Sequence, residues 1–328
     1  MQEDASRSAT YTMPCEDYVH VVEFSPYDCG SAASLLAYGG NQYVVVGTCR
    51  FKEENTDIEG VEFNTLRVFV HGVRVDALAW SPESRLDKLP QIIRFCTAAA
   101  DRKLKLFTSD LQNRHEVKVM EGHTSYINHV VFEPTEGKQI ASVSDDHTCR
   151  VWDLDGNETV SFRLWSPGVS VCWHPEEVFK LMVAEKKGTI RFYDLVSQQA
   201  ILSLDSGQMP LMSADWCLTN TIKVGAVVGS DWVIWDITRS RLFSPHLVLG
   251  VLEALGHKVH GLECLILVGL DRRLNRVEWF VFRFIGESVL EQRTRHGYMN
   301  LKPAQSLQRR GQDSKLSCYP VLQCSGPP

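Results

Sequence analysis

The chain has 328 residues, 44% of them apolar, which is enough to bury a sizeable core and excludes disorder throughout. No run of about 18 uncharged apolar residues occurs and the N-terminus is polar, so the sequence predicts a soluble protein without a transmembrane segment or secretory signal. Residues 1 to 238 carry 21 Lys and Arg against 33 Asp and Glu, whereas residues 239 to 328 carry 13 against 7. This change of charge sign indicates two segments of different character.

Three short patterns recur in the same order along the acidic part of the chain. The first ends a strand with an aromatic residue, as in "VVEFSP", "ALAWSP", "VVFEP", "VCWHP" and "ADWCL". The second is a strand of small residues that runs into a tight turn, as in "LLAYGGNQ", "RFCTAAADR", "IASVSDDH", "LMVAEKKG" and "GAVVGSDW". The third is a strand with an aromatic end, as in "KLKLFT", "TCRVWD", "TIRFYD" and "DWVIWD". Each unit is therefore predicted to be an antiparallel meander of four strands.

The aromatic ends of the third pattern set the repeat length. Successive ends are 45, 41 and 42 residues apart, and they fall at Phe107, Trp152, Tyr193 and Trp235. A period of about 40 to 45 residues is typical of propeller blades, in which each small sheet covers the apolar face of the next. Insertions after Arg50 and Pro82 lengthen the early units, which loops tolerate at small thermodynamic cost.

These units resemble the WD-repeat family of β-propellers. The unit from Gly122 to Asp153 carries "GH", "IASVSDDHT" and "RVWD" in the family's order, whereas Phe107 and Tyr193 stand where Trp is usual. The resemblance implies an all-β propeller with about five recognisable blades over residues 16 to 239, which is incomplete relative to the family.

Longer strings resemble a narrower group, the WD-repeat nucleoporins of the Y-shaped outer-ring scaffold of the nuclear pore. The strings are "EDYVHVVEFSP", "HGVRVDALAWSPESRLD", "SVSDDHTCRVWDL" and "WHPEEVFKLMVAEKKGTIRFYDL". This resemblance implies a non-enzymatic scaffold subunit that binds a large helical-solenoid nucleoporin at the nuclear envelope. It also implies roles in pore assembly, nucleocytoplasmic transport and, at kinetochores, in mitosis. No motif singles out the residues that contact the partner.

A second hypothesis is a regulatory peptide-binding propeller, such as a ubiquitin-ligase substrate receptor or a reader of histone tails. A reader of this kind needs a charged or aromatic cage at the mouth of the central channel, which a scaffold subunit does not need. Recovery of ligase adaptors or of pore scaffold subunits separates the two hypotheses.

The repeat is lost after residue 239. We expect residues 1–15 to form an N-terminal tail, residues 240–290 an apolar non-repeat segment and residues 291–328 a polar, disordered tail. The fifth blade is then predicted to lack its outer strand, which leaves an unpaired edge and an uncovered apolar face. A C-terminally altered chain of this kind is expected to be less stable than a full-length relative and to bind its partner less well.

The best-matching unit contains a candidate catalytic group, namely His123, Ser142, Asp146 and Trp152. Their Ser-His-Asp composition is compatible with a hydrolase, but no GxSxG elbow is present. The family resemblance implies instead a buried hydrogen-bond chain that ties one blade together. Ten scattered cysteines show no CxxC pair or metal spacing, and no phosphate-binding glycine loop occurs. We therefore expect no catalysis, no metal and no cofactor.

Three basic residues, Lys105, Arg150 and Arg191, occupy equivalent positions in successive units. They can line a surface for phosphate or acidic peptide, or they can be ordinary strand residues paired with acids. We favour pairing, with the nearby acids Asp101, Asp145 and Glu185 as partners. The net charge of residues 1 to 238 disfavours direct binding of nucleic acid, and membrane insertion is not expected.

Overall fold

The computed structural model of the protein describes residues 11–15, 17–27, 33–51, 61–112, 114–218, 220–229, 231–238, 241–243, 265–271, 276–282, 298–302 and 321–323. The elements within these ranges are all β-strands. The described ranges hold no helix with the length and apolar character needed to span a membrane.

Five antiparallel sheets of four strands follow one another along the chain, and we call them blades 1 to 5. The short strand β1 (Tyr11–Pro14) precedes them. Blade 1 contains β2 (Val21–Phe24), β3 (Ser34–Gly39), β4 (Tyr43–Phe51) and β5 (Val61–Val70). Blade 2 contains β6 (Val75–Trp80), β7 (Ile93–Ala99), β8 (Leu104–Ser109) and β9 (His115–Met120). In each blade the strands pair in sequence order, which confirms the predicted meander.

The next two blades show the period most regularly. Blade 3 contains β10 (Ile127–Phe132), β11 (Gln139–Ser144), β12 (Thr148–Asp153) and β13 (Glu158–Arg163). Blade 4 contains β14 (Gly168–Trp173), β15 (Lys180–Glu185), β16 (Thr189–Asp194) and β17 (Gln199–Asp205). In blades 2, 3 and 4 half or more of the outer-strand residues are exposed, whereas no residue of the two middle strands is exposed.

Blade 5 contains β18 (Leu211–Trp216), β19 (Lys223–Val228), β20 (Asp231–Asp236) and β21 (Arg241–Phe243). The prediction that this blade lacks its outer strand is wrong, because β21 pairs with β20 from Asp236↔Arg241 to Ile234↔Phe243. Strand pairing uses backbone groups, so three residues complete the sheet without a recognisable side-chain pattern.

The core lies in seams between neighbouring blades. One apolar cluster joins residues of blade 2, such as Leu104, to Phe132 and Trp152 of blade 3. Further clusters join blades 1 and 2, blades 3 and 4, and blades 4 and 5. The first strand of each blade contacts the first strand of the next. Each sheet thus covers the apolar face of its neighbour, as the sequence predicted.

Polar contacts also cross the seams near the innermost strands. Ser170 Oγ donates to the Ala214 carbonyl over 3.1 Å and accepts the Ala214 N–H over 3.0 Å, which links blades 4 and 5. Trp80 Nε1 donates to the Glu23 carbonyl over 3.0 Å and links blades 1 and 2. The blades are therefore held by directional bonds as well as by apolar packing.

Beyond the blades, the structure describes β22 (Leu265–Asp271), β23 (Arg276–Phe282), β24 (Tyr298–Lys302) and β25 (Val321–Gln323). β22 and β23 form an antiparallel pair, and β24 pairs with both β25 and β1. Short strands thus occur inside the segments predicted as a tail, a non-repeat region and a disordered tail. The rest of these segments lies outside the described residues, so their boundaries and the disorder of residues 291–328 stay predictions.

Candidate functional site

Blade 3 brings together the four candidate residues, which are His123, Ser142, Asp146 and Trp152. His123 lies in the connection from β9 to β10, Asp146 in the turn from β11 to β12, and the other two on β11 and β12. His123 Nε2 is 2.8 Å from Ser142 Oγ, and His123 Nδ1 is 2.8 Å from Asp146 Oδ2. Trp152 Nε1 donates to Ser142 Oγ over 2.9 Å.

The hydrogen bonds of this cluster keep the Asp146 carboxyl ionised. Burial by itself raises the pKa of the Asp146 carboxyl, but hydrogen bonds from His123, Thr148 and the Thr124 N–H outweigh it and hold the pKa well below its usual value. The carboxylate is therefore ionised and accepts from His123 Nδ1–H. The other ring nitrogen, Nε2, contacts the Ser142 hydroxyl, so the histidine bridges the turn and the strand.

The same arrangement is poorly suited to catalysis. Ser142 is fully buried, and the side chains of His123 and Asp146 are only 1% and 4% exposed. A nucleophilic oxygen must reach a substrate carbonyl beside an oxyanion donor, whereas Ser142 Oγ is enclosed and already accepts the indole N–H. Among the described residues, no group of three or more His, Cys, Asp or Glu side chains is placed to hold a metal ion. That the cluster stabilises the blade remains a prediction.

The four blade-end aromatic residues are buried, with exposed fractions of 1% to 4%. They are Phe107, Trp152, Tyr193 and Trp235. The Phe107 ring stacks on Phe95 with centroids 4.9 Å apart, and the Tyr193 ring stacks on Phe162 at 4.3 Å. Large rings at this position therefore fill the seam between blades. Phe107 does so without the hydrogen-bond donor that Trp and Tyr carry.

A related pair in blade 2 was missed by the sequence reasoning. His71 lies in the connection from β5 to β6, and its Nε2 is 2.9 Å from Thr97 Oγ1 on β7. His71 Nδ1 is 3.1 Å from the Val73 carbonyl oxygen. The signal was present, since "HG" at His71 precedes blade 2 much as "GH" precedes blade 3.

Because His71 is buried, we expect the folding stability of the protein to depend on pH. Burial first, and the charge of Lys105 second, lower the pKa of His71 to about 4, below its usual 6.5, whereas Asp101 and the Val73 carbonyl oppose this shift. As pH falls from 6.5 to 4, the unfolded chain takes up this proton before the folded one, so stability is lost in that window and is unaffected above it. The loss attributable to His71 is about 3 kcal/mol.

Urea unfolding between pH 7 and pH 4 checks this expectation against the variant His71→Gln, which keeps an amide in place of the ring. The variant is expected to lose less stability than the parent chain as pH falls. Equal losses in the two proteins contradict the assignment.

Two of the three basic residues pair with the acids that the sequence proposed. Lys105 Nζ is 3.7 Å from Asp101 Oδ2, and Arg191 Nε is 3.2 Å from Glu185 Oε1. The partner proposed for Arg150 is wrong. Arg150 pairs with Glu158 on the neighbouring strand β13, and the Asp145 carboxylate accepts from Asn128 Nδ2 over 2.8 Å.

In blade 4 the buried polar group is the ion pair of Arg191 and Glu185. The side chains of Arg191 and Glu185 are 7% and 1% exposed. Glu185 Oε2 also accepts the backbone N–H groups of Trp165 and Ser166 over 2.8 and 2.7 Å. The carboxylate thus ties the connection from β13 to β14 to two strands of blade 4. Buried charges of this kind require such partners.

Comparisons with known proteins agree with this architecture. The family described as "WD domain, G-beta repeat" matches residues 114–153, which contain β9 of blade 2 and the first three strands of blade 3. The chain is 69% identical to human nucleoporin Nup37 over 240 residues, which cover 73% of this chain and 74% of that protein. It is 68% identical to mouse nucleoporin Nup37 with the same coverage. It is also 41% identical to the Drosophila protein of that name over 50% of this chain and 52% of that one.

A solved structure shows the same fold at lower sequence similarity. A chain of "Crystal Structure of Mitotic Checkpoint Complex" superposes with a TM-score of 0.56 at 17% identity, covering 82% of this chain and 77% of that chain. The five blades, their shared seams and the polar cluster of blade 3 define a WD-repeat β-propeller. At the level of sequence, the chain belongs to the nucleoporin Nup37 family.

Proposed function

We propose that this chain is a non-enzymatic scaffold subunit of the Y-shaped outer-ring complex of the nuclear pore. The observation that carries the proposal is 69% identity to human nucleoporin Nup37 across 240 residues. The buried position of Ser142 favours a structural role over a catalytic one. A propeller braced by seams and cross-blade bonds offers rigid rims, which suit permanent assembly.

The proposed partner is a large helical-solenoid nucleoporin of the same complex. Through it the chain supports pore assembly and the transport of protein and mRNA, and it resides at the nuclear envelope and, during mitosis, at kinetochores. Binding is by protein surfaces, without membrane insertion or direct contact with nucleic acid. The proposal needs no cofactor and no metal.

The C-terminal part makes this chain an altered member of the family. The match to the human relative covers 73% of the chain, and among the described residues the last four-stranded blade ends at Phe243. We therefore propose lower stability than a full-length relative and weaker recovery of the partner. Limited proteolysis with mass mapping tests the boundary, and a stable fragment that ends near residue 238 to 243 is expected.

Affinity purification of the tagged full chain from cells, with quantitative mass spectrometry, tests the function. The expected result is enrichment of a helical-solenoid nucleoporin and its outer-ring neighbours, with fluorescence at the nuclear rim. The tag alone and a full-length relative are the controls. Recovery of ubiquitin-ligase adaptors or histone readers without pore scaffold subunits overturns the proposal in favour of the regulatory propeller.

A further inference from the structure

One face of blade 4 carries a patch that the blade seams do not explain. We call it the Trp165 platform, and it consists of Trp165, Lys186, Lys187 and Met209. Trp165 is 76% exposed and Met209 is 71% exposed, and both lysines are exposed. Trp165 lies between β13 and β14, Met209 between β17 and β18, and the lysines in the turn from β15 to β16.

Backbone hydrogen bonds place these three connections side by side. The Lys186 N–H donates to the Pro167 carbonyl over 2.8 Å, and the Leu211 N–H donates to the Lys186 carbonyl over 3.0 Å. The Ser206 N–H donates to the Gly188 carbonyl over 3.0 Å. The turn that carries the lysines is therefore flanked by the Trp165 connection on one side and by the Met209 connection on the other.

Gly188 permits this close approach. It has a φ of +95°, and an added Cβ would lie 2.2 Å from the Gln208 carbonyl oxygen. Only glycine meets both conditions without a shift of the backbone. The relative placement of the turn and the Met209 connection is thus built into the backbone.

Trp165 is held in place although it is exposed. Its ring lies 3.5 Å from the guanidinium carbon of the buried Arg191, and its backbone N–H donates to Glu185 Oε2 over 2.8 Å. Cation–π stacking on a buried ion pair orients the indole while one side stays open to solvent. A ligand that packs on an oriented ring loses little additional side-chain entropy, and tryptophan is a frequent anchor of protein interfaces.

The charge of the platform is opposite to that of the surrounding protein. Among the described residues, neither Lys186 nor Lys187 forms an ion pair. The equivalent turn of blade 3 carries Asp145 and Asp146, whose carboxylates are engaged by Asn128 and His123. Two unpaired ammonium groups beside exposed apolar side chains complement a ligand that is both acidic and apolar.

We propose that the Trp165 platform docks an acidic segment of a partner protein that carries an apolar anchor. The anchor packs against Trp165 and Met209, and the flanking carboxylates pair with Lys186 and Lys187. This inference rests on the proposed scaffold function, of which it names one binding surface. A nucleic acid is disfavoured because only two unpaired cations are present and residues 1 to 238 hold 33 acidic against 21 basic residues.

Fluorescence anisotropy with the full chain tests the proposal. The probe is a fluorescein-labelled peptide with a central Leu-Phe pair flanked by glutamates, and the matched peptide replaces the glutamates by glutamines. The expected result is saturable, salt-sensitive binding of the acidic peptide alone. The variant Trp165→Ala and the double variant Lys186→Glu, Lys187→Glu are each expected to weaken it about tenfold or more.

The matched control is Tyr126→Ala, which removes a 54% exposed aromatic side chain from the equivalent connection of blade 3. This variant is expected to bind like the parent chain, and circular dichroism verifies that every variant is folded. The proposal is overturned by absent binding, by equal affinity of the variants, by equal binding of the glutamine peptide, or by displacement of the peptide with single-stranded DNA. If pore scaffold subunits are still recovered from cells in any of these cases, only the platform assignment fails and the proposed function stands.

Discussion

Replacement of Trp152 by alanine is expected to lower the free energy of unfolding by about 3–5 kcal/mol, because it removes a large buried side chain and leaves a cavity. Trp152 is 1% exposed and packs in the seam between blades 2 and 3. The change also removes the indole donor to Ser142 Oγ. Urea unfolding monitored by circular dichroism measures the loss.

The chain supplies a matched control of the same residue type. Trp165 is 76% exposed, so Trp165→Ala leaves no buried cavity, and the loss of its stacking on Arg191 is expected to cost only about 1–2 kcal/mol. A third variant, Trp152→Phe, keeps most of the ring volume and removes the donor, so it separates packing from hydrogen bonding. Equal losses for the two alanine variants would contradict the assignment of Trp152 to the core.

Glu185→Ala is expected to cost about 3–5 kcal/mol as well, for a different physical reason. The substitution leaves the charge of Arg191, whose side chain is 7% exposed, without its carboxylate. It also removes the acceptor of the Trp165 and Ser166 backbone N–H groups. Thermal and urea unfolding report the loss. Glu185→Gln is expected to lose less, since its amide oxygen can still accept these bonds.

An exposed ion pair of the same chain is the control. Glu121 is paired with Lys103 at 2.6 Å, and its side chain is 64% exposed. Solvent and salt screen such a pair, so Glu121→Ala is expected to cost at most about 1 kcal/mol. A loss below about 1 kcal/mol for Glu185→Ala would show that the buried pair is not needed for the stability of blade 4.

Blades 3 and 4 meet the same requirement with different residues. Each ties the connection that enters the blade to its middle strands through buried polar side chains. Blade 3 uses His123 and Ser142, whereas blade 4 uses Glu185 and Arg191. This explains how the repeat tolerates the loss of its Trp-Asp ending in blade 4 while the sheet geometry is kept.

The sequence by itself determined the repeat, because a strand that is buried on one face imposes a period of two and each blade must recur to cover the next. It also placed the blade-end aromatic residues at a constant period, and the resemblance to the WD-repeat family implied the grouping of His123, Ser142, Asp146 and Trp152. The resemblance to the WD-repeat nucleoporins followed from longer stretches of sequence that include the loops between strands. A generic propeller does not share these loop sequences.

Only the tertiary structure decided which side chains and strands meet. Arg150 pairs with Glu158 on the neighbouring strand β13 and not with Asp145 in the turn before its own strand. The strand Arg241–Phe243 forms through backbone pairing that leaves no side-chain pattern to read. The Trp165 platform joins three connections, and its end residues Trp165 and Met209 are more than 40 residues apart in the sequence. These connections become neighbours only when the strands of blade 4 pair and blade 5 packs beside them. Sequence patterns within one unit are local, whereas partners across turns and seams are selected by three-dimensional packing and by competition among neighbouring groups.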